Sequence, residues 1–235
     1  MKRTKWVMWL IYCLVIPATL LLGSSLPGRS YYITGTLVMV ELLIPFFMAF
    51  EGRKPQAREL VVIAVMSTVA IVGRVAIPLP HFKAAFAVIM LAGIAFGAQS
   101  GFVVGAVCAF ASNFFYGQGP YTPWQMVAYG MCGLWAGICF GRDRLPKNRW
   151  LMAVVGFFVV ILAVGPILDS AGIFLVVTRL TPETILLTYA SGLIYANLSL
   201  AVSTGLCMLL FGKFFLTKLE RVKVKYGILC HDKRP

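Results

Sequence analysis

Residues 92–106 read Ala92-Gly-Ile-Ala-Phe-Gly-Ala-Gln-Ser-Gly-Phe-Val-Val-Gly-Ala106, and Gly93, Gly97, Gly101, Gly105 and Ala109 recur at every fourth position. Residues four apart stack on one face of a helix. Small residues at that spacing let helix backbones approach closely in lipid. Gly97 and Gly101 straddle the polar step Ala98-Gln-Ser-Gly101, so the stretch predicts two helices meeting at a tight turn. A second ladder, Gly130, Gly133, Ala136, Gly137 and Gly141, follows in a later apolar run. Both ladders predict close helix packing within the molecule.

The chain around them is apolar. Of 235 residues, 60% are hydrophobic and 12% charged, with a mean hydropathy of +0.88. Soluble domains average about 45–50% apolar and about 25% charged. These figures exclude a soluble globular enzyme, and the hydrophobicity excludes a disordered chain. A bilayer-spanning helix takes about 20 residues. Eight apolar runs can be marked: Trp6–Gly23, Tyr31–Phe50, Leu60–Ile77, Phe82–Ala98, Gly101–Tyr116, Pro123–Phe140, Trp150–Leu168 and Thr184–Phe211. The first has the basic start of a signal peptide, but its apolar core is long and a second run follows almost at once. It therefore reads as one arm of a helical hairpin. The predicted fold is an all-α polytopic membrane helix bundle of about eight spans. Residues 1–51 form an N-terminal two-helix hairpin, 52–213 a six-helix core, and 214–235 a basic cytoplasmic tail.

Net charge is +13, from 21 Lys and Arg against 8 Asp and Glu. Such a balance can mark a nucleic-acid binder, but in so apolar a chain it first reports topology, because basic residues collect on the cytoplasmic side. With the N-terminus inside, the inner segments hold seventeen of the twenty-one basic residues. They are Lys2, Arg3 and Lys5; Arg53, Lys54 and Arg58; Arg142, Arg144, Lys147 and Arg149; and, in the tail, Lys213, Lys218, Arg221, Lys223, Lys225, Lys233 and Arg234. Arg29, Arg74, Lys83 and Arg179 remain outside. The bias predicts eight spans with both termini cytoplasmic and no nucleic-acid partner. Phe214, Phe215, Leu216, Leu219, Val222 and Val224 interleave with the basic tail, which predicts that the last helix continues along an anionic lipid surface.

No chemistry-bearing constellation is present. The six cysteines are scattered without a CxxC pair, and five fall in apolar runs, so they read as small buried hydrophobes. His81 and His231 are isolated. There is no Gly-rich phosphate cradle, no ATPase signature and no nucleophile elbow. The chain is expected to be neither an enzyme nor a cofactor carrier.

Polar residues inside apolar runs are the candidates for function. Arg74 ends the third run. There it can snorkel to the interface or face an outward cavity as a cation for a carboxylate or phosphate. Glu41 reads as the sole carboxylate well inside a span, one turn before Pro45. It offers an alternative function, a self-sufficient transporter coupled to protons. The densest polar-aromatic stretch, Ser112-Asn-Phe-Phe-Tyr-Gly-Gln-Gly-Pro-Tyr-Thr-Pro-Trp-Gln125, joins the fifth and sixth runs on the outer side. Its glycines and prolines suit a tight, stiff loop, with Thr122 placed to cap the next helix. Phe115, Tyr116, Tyr121 and Trp124 could form an interfacial belt. A belt does not call for Asn113, Gln118 and Gln125 in the same stretch, and aromatic walls with a few orienting amides describe a small-molecule pocket. Phe82 in the preceding outer loop, and Tyr195 and Asn197 on the last helix, complete the candidate substrate-binding set. The third outer loop, Asp169–Glu183, adds Ser170, Thr178, Arg179 and Thr181 nearby.

Residues 52–141 resemble the S components of energy-coupling factor (ECF) vitamin transporters. The resemblance lies in the basic stretch before a small-residue helix (Arg58-Glu-Leu, then Ala64 and Thr68), the outer loop Pro78–Lys83, the Ala92–Ala106 hairpin, and Asn113–Gln125. It implies a membrane-embedded, prokaryotic plasma-membrane subunit that binds a vitamin and pairs with a transmembrane coupling protein and two cytoplasmic ATPases. In that family small residues on the core's first helix meet the coupling protein, which here places docking on Ala64 and Thr68. The stretch is most similar to the cobalamin-type branch. Cobalamin or a corrinoid is thus the first expected ligand and riboflavin the next. The first two runs lie outside the family's six-helix plan.

Overall fold

The computed structural model describes residues 10–25, 30–52, 55–76, 81–141, 144–176 and 181–227. Lys2, Arg3, Lys5, Arg29, Arg53, Lys54, Arg142, Thr178, Arg179, Lys233 and Arg234, with residues 78–80 of the expected outer loop Pro78–Lys83, lie outside these residues. Every described element is helical. Helix α1 opens with a π-helical turn, Ile11–Val15, and continues over Ile16–Ser25; α2 is Ser30–Glu51. Then follow α3 (Ala57–Val75), α4 (Ala85–Phe96), α5 (Ala98–Tyr116) and α6 (Thr122–Phe140). Helix α7 runs from Arg149–Val159 through a π turn, Val160–Val164, into Gly165–Val176. Helix α8 is one continuous helix, Pro182–Lys225, with π turns at Leu193–Asn197 and Met208–Gly212.

Among the described residues, four helices are long and apolar enough to cross a membrane: Ile33–Glu51, Ala98–Tyr116, Arg149–Leu175 and Pro182–Lys225. Their outer faces carry bare aliphatic side chains such as Leu162, 72% exposed, and Leu186, 70% exposed. Water-soluble surfaces seldom tolerate such contiguous apolar area. The expected span Phe82–Ala98 is corrected to a helix of 12 residues. At 1.5 Å per residue it measures about 18 Å, short of the roughly 30 Å hydrocarbon core. It needs no lipid contact, because every residue of it except Val88 is buried among its neighbours. Helix α3 has 19 residues but carries Arg58, Glu59 and Arg74. The expected loop Asp169–Glu183 is corrected as well: α7 continues to Val176, so Asp169 lies within a crossing helix and Glu41 is not the sole carboxylate in a span.

The two glycine ladders face each other. A Cβ on Gly133 would sit 2.2 Å from the Gly101 carbonyl oxygen, and one on Gly93 would sit 2.1 Å from the Gly133 oxygen. A Cβ on Gly105 would meet the Tyr129 oxygen at 2.2 Å. Backbones this close exclude any side chain, so α4, α5 and α6 form the tightest unit of the bundle. Gly97 makes the turn between α4 and α5 at φ 92°, a conformation glycine adopts without steric cost. Around this unit one continuous core joins α3, α7 and α8.

The tail does continue the last helix. Lys223 donates from Nζ to the Ala95 carbonyl at 2.9 Å, placing a cation on the last turn of α4, where the helix dipole favours it. Helix α2 packs on the core through Leu43 and through Phe46, stacked on Phe102 at 4.0 Å with 13° between rings. Cys108, Cys132, Cys139 and Cys207 are free thiols, the first two fully enclosed.

Candidate functional site

Arg74 does not snorkel. The last turn of α3 delivers it to the ends of α5 and α6, where it is 8% exposed. Its Nη1 donates to Ser112 Oγ and, at 3.0 Å, to Asn113 Oδ1; Nη2 donates to Gln125 Oε1 at 3.3 Å. The guanidinium also lies 5.0 Å from the ring centroids of Tyr116 and Tyr129. Tyr116 returns its hydroxyl to the Arg74 carbonyl at 3.0 Å. A cation buried in an apolar bundle is tolerable only with such a set of neutral acceptors and ring faces.

The loop between α5 and α6 locks this knot. Asn113 donates from Nδ2 to Gln125 Oε1 at 2.9 Å and to Thr122 Oγ1 at 3.1 Å. Thr122 donates to Gln118 Oε1 at 2.9 Å and accepts from the Gly119 amide at 3.2 Å. Gln118 Nε2 reaches the Phe110 carbonyl at 2.9 Å, and Tyr121 donates to the Gly117 carbonyl at 2.6 Å. The expected capping role of Thr122 is corrected: it is the first residue of α6, and its hydroxyl serves the loop and Asn113. The structure thus brings together Arg74, Asn113, Tyr116, Gln118 and Gln125, with Tyr121 tied to the same loop. Sequence reading missed Tyr129, which lies one helical turn beyond Gln125, a spacing that places it on the same face.

Trp124 turns to a different face of α6. Adjacent helical residues point about 100° apart, so with Gln125 on Arg74, Trp124 packs against Phe174 of α7, at 5.3 Å and 27°. It is 3% exposed, and its indole Nε1–H has no hydrogen-bond partner. Leaving a buried donor unmatched costs about 1–3 kcal/mol.

A third polar group joins α7 to α8. Asn197, 2% exposed, donates from Nδ2 to Asp169 Oδ2 at 2.7 Å. Glycine clears space on both sides. A Cβ at Gly192 would lie 2.1 Å from Asp169 Oδ1, and one at Gly165 would lie 2.7 Å from the Asn197 amide. Ser170 and Tyr189 pair beside it at 2.8 Å. The sequence signal for Asp169 was an acid flanked by apolar residues, obscured because it stood where a loop was expected. Tyr195 is 78% exposed and Phe82 half-buried; among the described contacts neither shares a hydrogen bond or ring contact with these groups. No cluster of His, Cys, Asp and Glu that could hold a metal occurs among the described residues.

The bundle therefore offers a buried cation where α3, α5 and α6 meet, an unmatched indole donor on α6, and an intramembrane carboxylate paired between α7 and α8. That is an inventory for holding a polar small molecule. No curated protein and no solved structure matches the chain. The family model of the ECF-type riboflavin transporter S component matches residues 54–219, a span that takes in α3 to α7 and most of α8. An all-helical apolar bundle, matched by this family model over residues 54–219, the chain belongs to the family of ECF-type riboflavin transporter S components.

Proposed function

We propose that the chain captures a vitamin at the outer end of the bundle and delivers it to an ECF module that supplies ATP-driven transport. Riboflavin is the first ligand and cobalamin the second. This reverses the order expected from the sequence, because the matched family is described by riboflavin. The observation that carries the reading is the Arg74 knot: a buried guanidinium with its acceptors pre-positioned by one loop, in a bundle that also holds an unmatched Trp124 donor. Groups held this firmly lose little entropy on binding, which favours high affinity. Asp169 with Asn197 adds an acceptor for ligand N–H groups.

The partner surface in this reading is the outer face of α3. Ala64 and Thr68 are both exposed, and Thr68 turns its hydroxyl back to the Ala64 carbonyl at 2.9 Å. The face is left smooth and apolar, flanked by Val61, Val65 and Val72. Small smooth faces are how helices dock in lipid.

The test is purification of the full chain from riboflavin-rich and cobalamin-rich cultures, with mass spectrometry of whatever small molecule accompanies it. Nanomolar riboflavin binding and no ATP hydrolysis by the chain alone are expected. Uptake into vesicles that contain no ATPase partner would sink the scheme.

One observation favours a second reading, proton-coupled transport without ATPases. Glu41 accepts from Thr19 at 2.7 Å through Oε1, while its Oε2 is buried without a partner. An intramembrane acid with a free oxygen is where a coupled proton would ride.

A further inference from the structure

Helix α2 lies outside residues 54–219, the segment that matches the family. It nonetheless covers one of the candidate ligand groups. Gly35 is the contact point. A Cβ there would meet Trp124 Cζ2 at 3.1 Å and Phe174 Cγ at 3.3 Å. Cζ2 sits on the indole edge beside Nε1, so the α2 backbone lies over the edge that carries the unmatched N–H. Glycine at this position is what lets the helix close down on the ring pair. Thr36, the next residue, reaches the Pro120 carbonyl of the α5–α6 loop at only 3.5 Å.

The two halves of α2 are held differently. The inner half, beyond Pro45, is anchored by Phe46 stacked on Phe102, with Phe50 in the main core. The outer half exposes Ile33, Leu37 and Val40 and meets the bundle through Gly35 at its tip and Leu43 next to the proline. Between them stands Pro45, inside the helix. Proline has no N–H to donate to the carbonyl four residues back, so the helix is weakest there and can bend.

We infer that the outer half of α2 is a lid on the substrate compartment. It hinges at Pro45 and lifts Gly35 off Trp124 and Phe174, so that the vitamin docks against the ring pair with an acceptor on the Trp124 indole N–H. This deepens the vitamin-binding reading above and rests on it. The buried donor without a partner is then a group waiting for its ligand. The two residues that set the fit, Gly35 and Pro45, belong to a helix the family match does not include.

The experiment locks the lid. The pair is Gly35→Cys with Phe174→Cys: a Cβ on Gly35 lies 3.3 Å from Phe174 Cγ, one bond from the Phe174 Cβ, which suits the roughly 3.5–4.5 Å that a disulfide spans. Riboflavin and cobalamin binding to the purified full chain, stripped of ligand, is measured before and after reduction, with wild type treated identically. Oxidised double variant is expected to bind at least 100-fold more weakly than the same sample reduced, while wild type is indifferent to reduction. Equal binding in both redox states overturns the lid and leaves the vitamin-binding reading standing. Wild type that binds neither vitamin overturns both. Two single variants test the parts without a cross-link. Pro45→Ala restores the missing helix bond and straightens the hinge, and is expected to slow association about 10-fold with thermal stability at or above the wild-type value; an unchanged association rate refutes the hinge. Trp124→Phe keeps a ring and removes the N–H, and is expected to weaken binding about 10-fold. Unchanged affinity removes the indole from the site.

Discussion

Replacing Arg74 by Met tests whether the polar knot is held by the cation at its centre. The substitution keeps an unbranched side chain and removes the guanidinium. Its consequences differ by acceptor. Ser112 Oγ still donates to the Cys108 carbonyl at 2.6 Å, and Gln125 Oε1 keeps the Asn113 Nδ2 donor at 2.9 Å. Asn113 Oδ1 loses its guanidinium donor while 0% exposed. An orphaned buried acceptor costs about 1–3 kcal/mol. Each of the two ring contacts adds about 0.5–2 kcal/mol when desolvated. Relief from burying a charge offsets part of this. The net expectation is a loss of about 2–4 kcal/mol. For a chain of this size that lowers Tm by about 5–15 °C. The assay is built into the fold, because Cys108 and Cys132 are 0% exposed free thiols. A thiol-reactive fluorophore reports their exposure on heating in detergent. The decisive comparison is a cycle with Asn113→Ala. Shared partners predict a coupling of at least about 1 kcal/mol. A Tm shift under about 2 °C for Arg74→Met, or strict additivity with Asn113→Ala, refutes the reasoning.

Other expectations follow from the same geometry. Gly133→Ala puts a Cβ 2.2 Å from the Gly101 carbonyl oxygen and should destabilise the bundle by about 1–3 kcal/mol. Gly141→Ala, with nothing within 4 Å, serves as its control in the same thermal assay. Asp169→Ala removes the acceptor of Asn197 and should weaken riboflavin binding at least 10-fold in equilibrium titration; retained affinity takes the α7–α8 pair out of the site. Ala64→Leu with Thr68→Leu should cut co-purification with a coupling protein and its ATPases at least 10-fold while vitamin affinity stays at the wild-type value. Loss of both together would mean that the bundle itself is damaged. Glu41→Gln should leave uptake intact if ATPases drive it, whereas abolished uptake in vesicles would favour proton coupling.

The sequence by itself determined the fold class. Composition, the apolar runs and the fourfold glycine spacing are local properties, and they suffice for an all-helical bundle because helix formation needs only local hydrogen bonds. They also marked Arg74 and the Asn113–Gln125 stretch as the unusual polar segments. What the tertiary structure decided is which faces meet. Nothing local tells that Gln125 turns to Arg74 while its neighbour Trp124 turns to Phe174, since that depends on how α6 is rotated against α3 and α7. The short helix α4 misled a length-based reading because it is enclosed by protein, so the bilayer does not set its length. Asp169 was hidden for the opposite reason: a helix that pairs its acid with Asn197 on a neighbour can continue past the point where its own sequence turns polar. The role of the first fifty residues was likewise out of reach, because the contact of Gly35 with Trp124 joins positions far apart in the chain, and only packing brings them within van der Waals distance.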